Sequence, residues 1–499
     1  GSGLAYTVPI VAVVDAPIDA VALERALHAL LDRHEPLRTT VQIDDGKPVA
    51  YLRDSDKFTL TVEDRSEMSL VEVRKVTEAM AQADAAKPFV LANDLPIRAR
   101  LLRFGHKRTG LILIAHHIAV DGRSVPIMMR ELKTLYAAAV AGDLASAVLP
   151  EQSLTYADWV DWIAANPSFD GGEGAVAAAV QRLKGAPEVL ALPLDRPRPR
   201  QRDHLGGVAT FSIQPELESK VHSLAQRLGT TSFAILATAY AVLLSRVSGQ
   251  NEVVFGVPVA GRPRDELHDL IGYFADTAVL RVCFDGEPDG EALVARVHED
   301  LSNMLSNPVP FDALVDAMGL QRDTSHTPIF QAMMALSEDE STDVEFGGLQ
   351  AEMVAVHPGT AKFDLQLQIL RHDGAWLCGL EYASDVLNHE TATQFASRYL
   401  RVLEWLSNGG VGGVSSVCLT TPSERSWLVD EVNATDRDYG RVVPVHERIS
   451  EMAALHPSAV AVRFEGVEVS YGELESRSNA LAHRLIRSGA CVEGRVGVC

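Results

Sequence analysis

The chain has 499 residues, 47% hydrophobic and 22% charged, with a formal net charge of −22 at pH 7. The length suggests two to four domain-sized units, and the apolar content excludes an intrinsically disordered chain. The acidic balance speaks against a nonspecific nucleic-acid binder or a protein that docks on anionic membranes. No apolar stretch is long enough to span a bilayer.

Residues 8–14 (VPIVAVV) predict a strand. Residues 19–34 predict an amphipathic helix, with Val21, Leu23, Ala26, Leu27, Leu30 and Leu31 as its apolar stripe. Two strands follow around a hairpin-like turn at Asp44-Asp45-Gly46. A helix is expected over about 69–86, strands over 101–104 and 111–117, and a helix over about 125–141. Residues 193–203 (PLDRPRPRQRD) are rich in Pro and Arg and lack periodicity, which predicts a surface linker. The alternation then restarts with a strand at 207–213, helices at 215–228 and 231–248, and a strand at 252–258. The second half thus repeats the first, without the short period of a solenoid.

The run Gly409-Gly410-Val411-Gly412-Gly413 marks a second break, over 406–425. It lacks both GxGxxG spacing and a following Lys-Ser/Thr, so a linker is expected there rather than a phosphate loop. A helix–strand–helix piece occupies about 437–499. Both ends look cut: Gly1-Ser2-Gly3 resembles an expression scar, and the chain stops at Val496-Gly497-Val498-Cys499, within an apparent buried strand. Cys283, Cys378, Cys418, Cys491 and Cys499 form no CxxC pair. This argues against a disulfide framework and fits reduced thiols in a cytoplasmic protein. That setting makes the sequon Asn433-Ala434-Thr435 accidental.

The stretch LILIAHHIAVDGRS, 111–124, carries the chemistry. Leu111–Ala115 is apolar on both faces, as in a strand buried between layers. His116 and His117 follow at once and face opposite sides, so they do not form one metal site. A satisfied core histidine is the ordinary alternative for His116. For His117, structural and catalytic roles stand level on pattern alone. It sits where strand becomes loop, four residues before Asp121-Gly122, and Ser124 could cap the helix near Val125-Pro126.

HHIAVDG resembles the HHxxxDG motif of condensation domains of nonribosomal peptide synthetases. Further matches follow in the family's order: RHEPLRTTV (33–41), YADWVDW (156–162), IGYFADTAVLR (271–281), NPVPFD (307–312) and RDTSHTPIF (322–330). VPVAGR (257–262) and AKFDL (361–365) are smaller echoes. The resemblance covers about residues 4–420. NATDRDY (433–439) and VSYGELESRSNALAHRL (469–485) resemble the start of an adenylation domain, and the chain ends before the glycine-rich nucleotide loop of such domains.

The resemblance implies an α/β (α+β), chloramphenicol-acetyltransferase-like fold, a two-lobed, V-shaped pseudo-dimer. Its lobes would be 1–180 and 181–420, with 421–499 a linker and truncated adenylation start. It implies donor and acceptor peptidyl carrier proteins on the two sides of a tunnel. Their 4′-phosphopantetheine arms enter that tunnel and meet near His117, and no cofactor is tightly bound. The adenylation domain of the same module would be a further partner. No nucleic acid, membrane or metal is expected. The setting would be antibiotic or siderophore biosynthesis.

The implied reaction is attack of the acceptor α-amine on the donor thioester. With a free amine pKa near 8 and a histidine near 6.5, His117 acts either as general base or as the group that orients the amine. Holding two tethered reactants supplies as much as about 7–11 kcal/mol. There is no GxSxG elbow and no cysteine near the motif, which disfavours an acyl-enzyme. The resemblance also implies that Asp121 pairs with Arg33 and so fixes the His117 loop. His116 gives structural support, and Gly122 either offers a backbone N–H or adopts a conformation closed to other residues. Tyr156, Trp159 and Trp162 are expected to pack.

Three departures stand out: Asp276 replaces an Asn, Val41 an aromatic residue and Arg123 a Trp. The family's opening SxAQxRLW segment is missing. The rival readings are an epimerisation-type or ester-forming relative, and a catalytically inactive carrier-docking module. Heterocyclisation domains carry aspartates in place of the histidines, and acyl-CoA-dependent acyltransferases have a shorter HxxxD.

Overall fold

The computed structural model describes residues 3–68, 72–105, 107–166, 172–320, 323–337, 343–346, 349–372, 374–440 and 442–498. Gly1, Ser2, Arg322, Cys499 and the first residues of the helix expected from 69 lie outside these.

The first lobe is built on β1 (Thr7–Val14), α1 (Ala20–Arg33), β2 (Thr39–Asp44), β3 (Lys47–Leu52), β4 (Leu60–Asp64), α2 (Val73–Ala85), β5 (Ile97–Phe104), β6 (Arg108–His116) and α3 (Ser124–Val140). Strict alternation explains how β1 and β6 are buried on both faces. Ile10, Ala12, Val14, Leu111, Leu113 and Ala115 pack with α1 and α3. Val11, Val13, Ile112 and Ile114 pack on the other face with Val73 and Ala81 of α2. Asp19 caps α1, accepting from the Val21 and Ala22 amides. The β2–β3 turn has positive φ at Asp45 and Gly46, the conformation a two-residue hairpin needs.

Next come α4 (Tyr156–Ala165) and α5 (Gly172–Leu183). The elements that follow, all in the second lobe except β11 and β12, are β7 (Gly206–Ile213), α6 (Pro215–Leu228), α7 (Ser232–Ser248), β8 (Glu252–Val259), β9 (Asp276–Cys283), α8 (Gly290–Ser306), α9 (Phe311–Met318), β10 (Ala332–Ser337), β11 (Asp343–Phe346), β12 (Leu349–Val354), β13 (Leu365–His372), β14 (Ala375–Ala383) and α10 (His389–Ser407). Helix α7 is buried on every side from Ala234 to Ser245, as a central core helix must be.

Each lobe holds a six-stranded sheet, ordered β11-β12-β1-β6-β5-β4 and β7-β14-β13-β10-β8-β9. The runs β1-β6-β5-β4 and β7-β14-β13-β10 share one pattern of two antiparallel pairings and then a parallel one. The repeated alternation in the sequence is therefore a repeated sheet.

The lobes are not the contiguous halves 1–180 and 181–420. A cut at 180 severs α5, whose Ala179 and Leu183 pack with Val254 and Val279 of the second lobe. Strands β11 and β12 cross back, and Val11–Val14 pairs with Ala351–Val354, giving the first sheet its outer edge.

Residues 193–203 are also not a free surface linker. Arg202 is 6% exposed, and Arg198 binds the buried Asp364 carboxylate. The glycine cluster packs rather than links: Gly410 accepts from the Gly290 amide at 2.8 Å. Contacts divide the chain after Thr421. The second unit comprises α11 (Pro422–Ser426), α12 (Val445–Leu455), the hairpin β15 (Val460–Phe464) and β16 (Val467–Ser470), and α13 (Tyr471–Arg487). Among the described residues no single helix is long and apolar enough to cross a membrane.

Candidate active site

His116 ends β6 on the α2 face, continuing the alternation of Ile112 and Ile114. It is 8% exposed, edge-on to the Phe89 ring at 5.8 Å, and its Nδ1 accepts from the Ile118 amide at 3.1 Å. Burial, and then the charge of Lys362, lower its pKa. These contacts make it a support of the turn.

His117 leaves the strand. Its backbone N–H donates to Tyr6 O at 2.7 Å. Its Nδ1 lies 3.0 Å from Val120 O, and a carbonyl only accepts, so Nδ1 carries the proton and Nε2 the lone pair. Among the described residues no protein group hydrogen-bonds Nε2. Burial chiefly, then the charge of Lys362, push its pKa down to about 4. The ring stands edge-on to Tyr273 at 5.8 Å.

Asp121 makes no hydrogen bond to this imidazole and pairs with Arg262, not with Arg33. It is 3% exposed, and Arg262 Nη2 donates to its two oxygens at 2.9 and 3.0 Å. It also accepts from the Ser124 amide at 2.9 Å, the Ser124 hydroxyl at 2.7 Å and the Phe274 amide at 3.1 Å. Arg33 lies elsewhere. It binds Glu131 at 3.0 Å and the Pro150 carbonyl, and His34 lies 2.7 Å from the same buried Glu131. The Arg33 side chain is thus committed to α3, which carries Glu131, and not to the loop.

Ser124 is likewise not the helix cap. Asp121 accepts the Ser124 amide, and the Ser124 hydroxyl oxygen accepts from the Gly272 amide at 3.2 Å, tying the loop to the second lobe. Gly122 is exposed, a Cβ there would meet nothing within 4 Å, and its φ is not in the left-handed region. Its value is therefore open space rather than an unusual conformation.

Arg262 was legible only as the last letter of VPVAGR. Its Nη1 donates to Leu267 O at 2.8 Å and Leu270 O at 2.7 Å, and its guanidinium lies 3.9 Å from the Phe274 ring centroid. Gly261 makes this approach possible. Its φ is +60°, and a Cβ would fall 1.8 Å from Phe274 O.

Tyr156, Trp159 and Trp162 pack as expected. Trp159 stacks on Trp162 at 5.4 Å and joins Leu267, Leu270 and Phe274. Beside them is a cavity of about 610 Å³ lined by Trp159, Arg262, Tyr273, Asp276, Phe311 and Asp312, among others. The departure from Asn at Asp276 is thus on a cavity wall. Sequence reading also missed Lys362, whose ammonium lies 5.5 Å from the Tyr6 ring centroid. Among the described residues no group of three His, Cys, Asp or Glu side chains is placed to hold a metal ion.

Residues 1–429 match the condensation domain family. The chain belongs to that family. This condensation domain is 32% identical over 501 residues to one of the proteins of the linear gramicidin synthase of Brevibacillus parabrevis, covering 99% of this chain and 6% of that protein. It is also 32% identical over 512 residues to a chondramide synthase of Chondromyces crocatus, covering 100% of this chain and 13% of that protein. It spans only a small part of those relatives.

A crystallised four-domain nonribosomal peptide synthetase aligns with a TM-score of 0.85 at 19% identity, over 98% of this chain and 37% of that one. The first condensation domain of the calcium-dependent antibiotic synthetase aligns at 0.69 and 20%, over 84% and 95%. These likenesses bear on the fold, which is the two-lobed, chloramphenicol-acetyltransferase-like one. The family's reaction is amide-bond formation, an acyl transfer, in nonribosomal peptide synthesis.

Proposed function

We propose that this condensation domain joins a donor acyl or aminoacyl group, held as a thioester on one carrier protein, to the α-amine of an aminoacyl group on a second carrier. The two 4′-phosphopantetheine arms meet at His117. The observation that carries this reading is the imidazole itself. Its Nδ1 is committed to Val120 O, and its Nε2 lone pair is left for a substrate. The amine nitrogen attacks the thioester carbonyl carbon, the C–N bond forms, the C–S bond breaks, and the nitrogen's proton ends on the departing thiolate.

An imidazole near 4 is a poor match for an ammonium near 8. The gap of about 4 units makes outright deprotonation uphill by about 5.4 kcal/mol. His117 therefore acts by accepting a hydrogen bond from the neutral amine. It takes the proton only as attack makes that nitrogen acidic. Positioning of two tethered reactants supplies much of the remainder. Gly122 keeps the approach open, and the cavity behind Tyr273 receives an aminoacyl side chain.

Residues 422–499 are read as the opening of the adenylation domain of the same module. The exposed apolar residues Val460, Phe464, Val467, Leu481 and Ile486 support this, since they call for a covering domain. So does the similarity to the gramicidin synthase, which runs over 99% of this chain.

The test mixes donor-loaded and acceptor-loaded carrier proteins with the chain and with His117→Ala, and follows the donor group by intact-protein mass spectrometry. Transfer by the native chain, reduced about 10²- to 10⁴-fold in the folded variant, is the expected result. Equal transfer by both removes His117 from the chemistry. No transfer by either folded protein, over several substrate pairs, favours a docking module.

A further inference from the structure

Lys362 is a cation that the proposed reaction does not use. Its backbone is clamped. Arg202 donates to the carbonyls of Lys362 at 3.0 Å and Phe363 at 3.2 Å. The Ala361 amide donates to His204 O at 2.9 Å, and the neighbouring Asp364 is fully buried and held by Arg198. This segment, just before β13, belongs to the second lobe, yet its side chain reaches Tyr6 of the first. The ammonium lies 5.5 Å from the Tyr6 ring centroid, within cation–π range. Tyr6 is also the residue whose carbonyl receives the His117 amide, and its ring is 6.1 Å from that of His116.

Among the described residues this ammonium has no hydrogen-bond or ion-pair partner. The acid whose field reaches it is Glu381 of β14, which faces His357 at 3.0 Å. Burial pushes Lys362 down to about 8, so at neutral pH it keeps its charge in a place where charge is costly. Seated against Tyr6, whose carbonyl holds the His117 amide, an uncompensated cation whose field reaches that imidazole resists a second positive charge there. The groups that act on His117 are His116 from β6, Asp121 from the following loop and Lys362 through their fields, Tyr273 of the second lobe through its ring, and Tyr6, from the turn before β1, through its carbonyl. Asp121 favours the imidazolium, but its own charge is consumed by Arg262.

We infer that Lys362 is a positioning residue for amide-bond formation: its ammonium, brought across from the second lobe, adds to burial in holding the His117 imidazole uncharged, and its Nε2 open to the acceptor amine, as pH falls toward 5. This rests on the role proposed for His117, but the electrostatic part can be read without turnover. The full chain is labelled at histidine Cε1, the His117 signal is assigned by its loss in His117→Ala, and the signal is titrated in native, Lys362→Met and Lys362→Arg proteins. The expected midpoint rises by about one unit in Lys362→Met and stays in place in Lys362→Arg.

The transfer rate of Lys362→Met relative to native then falls about twofold between pH 7 and pH 5, as the imidazole charges early. The acceptor amine titrates alike in both, so it cancels. A purely structural role lowers the ratio equally at every pH. An unmoved midpoint in a folded Lys362→Met protein overturns the inference, whatever the transfer assay gives. If Lys362→Met does not fold, Lys362→Gln carries the same measurement. If neither neutral variant folds, the charge is structural and the inference fails.

Discussion

Asp121→Ala strands Arg262. That guanidinium is 1% exposed at its side chain, and Asp121 is the only acid it bonds among the described residues. Its Nη1 goes to the carbonyls of Leu267 and Leu270, which satisfy hydrogen bonds but not charge. Removing one partner of a buried pair costs about 3–5 kcal/mol. At about 2 °C per kcal/mol for a unit of this size, the melting temperature falls by roughly 6–10 °C.

A double-mutant cycle separates this pairing from the expected one. Arg262→Met in the Asp121→Ala background removes the stranded charge and restores part of the loss. Recovery is incomplete because the Ser124 and Phe274 amides still lack their acceptor. Arg33→Met in the same background adds its own cost within about 0.5 kcal/mol, because Arg33 answers to Glu131. Calorimetry or denaturant melts of the four proteins in each cycle give the coupling energies. Coupling between Asp121 and Arg33, or none between Asp121 and Arg262, refutes the assignment.

Gly122→Ala leaves the melting temperature nearly unchanged, since its Cβ meets nothing and its φ is ordinary. The carrier-transfer rate nonetheless drops, because the methyl enters the approach to His117. An unchanged rate shows that the opening is not used. Gly261→Ala melts well below native, because its φ is +60° and its Cβ would strike Phe274 O. A native-like melt shows that this turn is not needed to aim Arg262.

The His117 pKa is depressed in the folded chain, from 6.5 to about 4, so between those values the unfolded chain binds more protons and stability is lost as pH falls. The advantage of the native chain over His117→Ala therefore shrinks by about 3 kcal/mol between pH 6.5 and pH 4. Parallel denaturant melts read this, and a constant difference means the imidazole titrates normally.

The elements were largely legible because hydrophobic period carries them. The strands at 8–14, 207–213 and 252–258 and the helices at 19–34, 215–228 and 231–248 sit within a residue or so of where they were expected. His117, Asp121 and Gly122 were legible as a local motif. What escaped was everything set by long-range contact. The partner of Asp121 lies 141 residues away in sequence, and no local spacing distinguishes Arg33 from Arg262. The crossing of β11 and β12 into the first sheet follows from pairing with β1, which leaves no periodic trace distinct from an ordinary hairpin. The segment 193–203 reads as linker because it has neither helix nor strand, yet Arg198 is held by Asp364 and Arg202 by the Lys362 and Phe363 carbonyls.

These contacts share one consequence. The loop that carries His117 is held largely by groups from the other lobe: Arg262 on Asp121, the Phe274 amide on the same carboxylate, and the Gly272 amide on Ser124. The first lobe alone supplies the strand that delivers the imidazole and the Val120 carbonyl that sets its tautomer. It does not supply the charge that fixes the loop. The bonds from the second lobe to Asp121 are short, directional and buried, so the loop's position depends on them. A substitution in 260–275 should therefore lower transfer without touching a substrate, and its effect should scale with lost Asp121 coupling rather than with distance from His117. The duplicated sheets explain why this division of labour is available. Each lobe has its own core, so the seam between them is free to carry buried polar contacts that neither core has to accommodate.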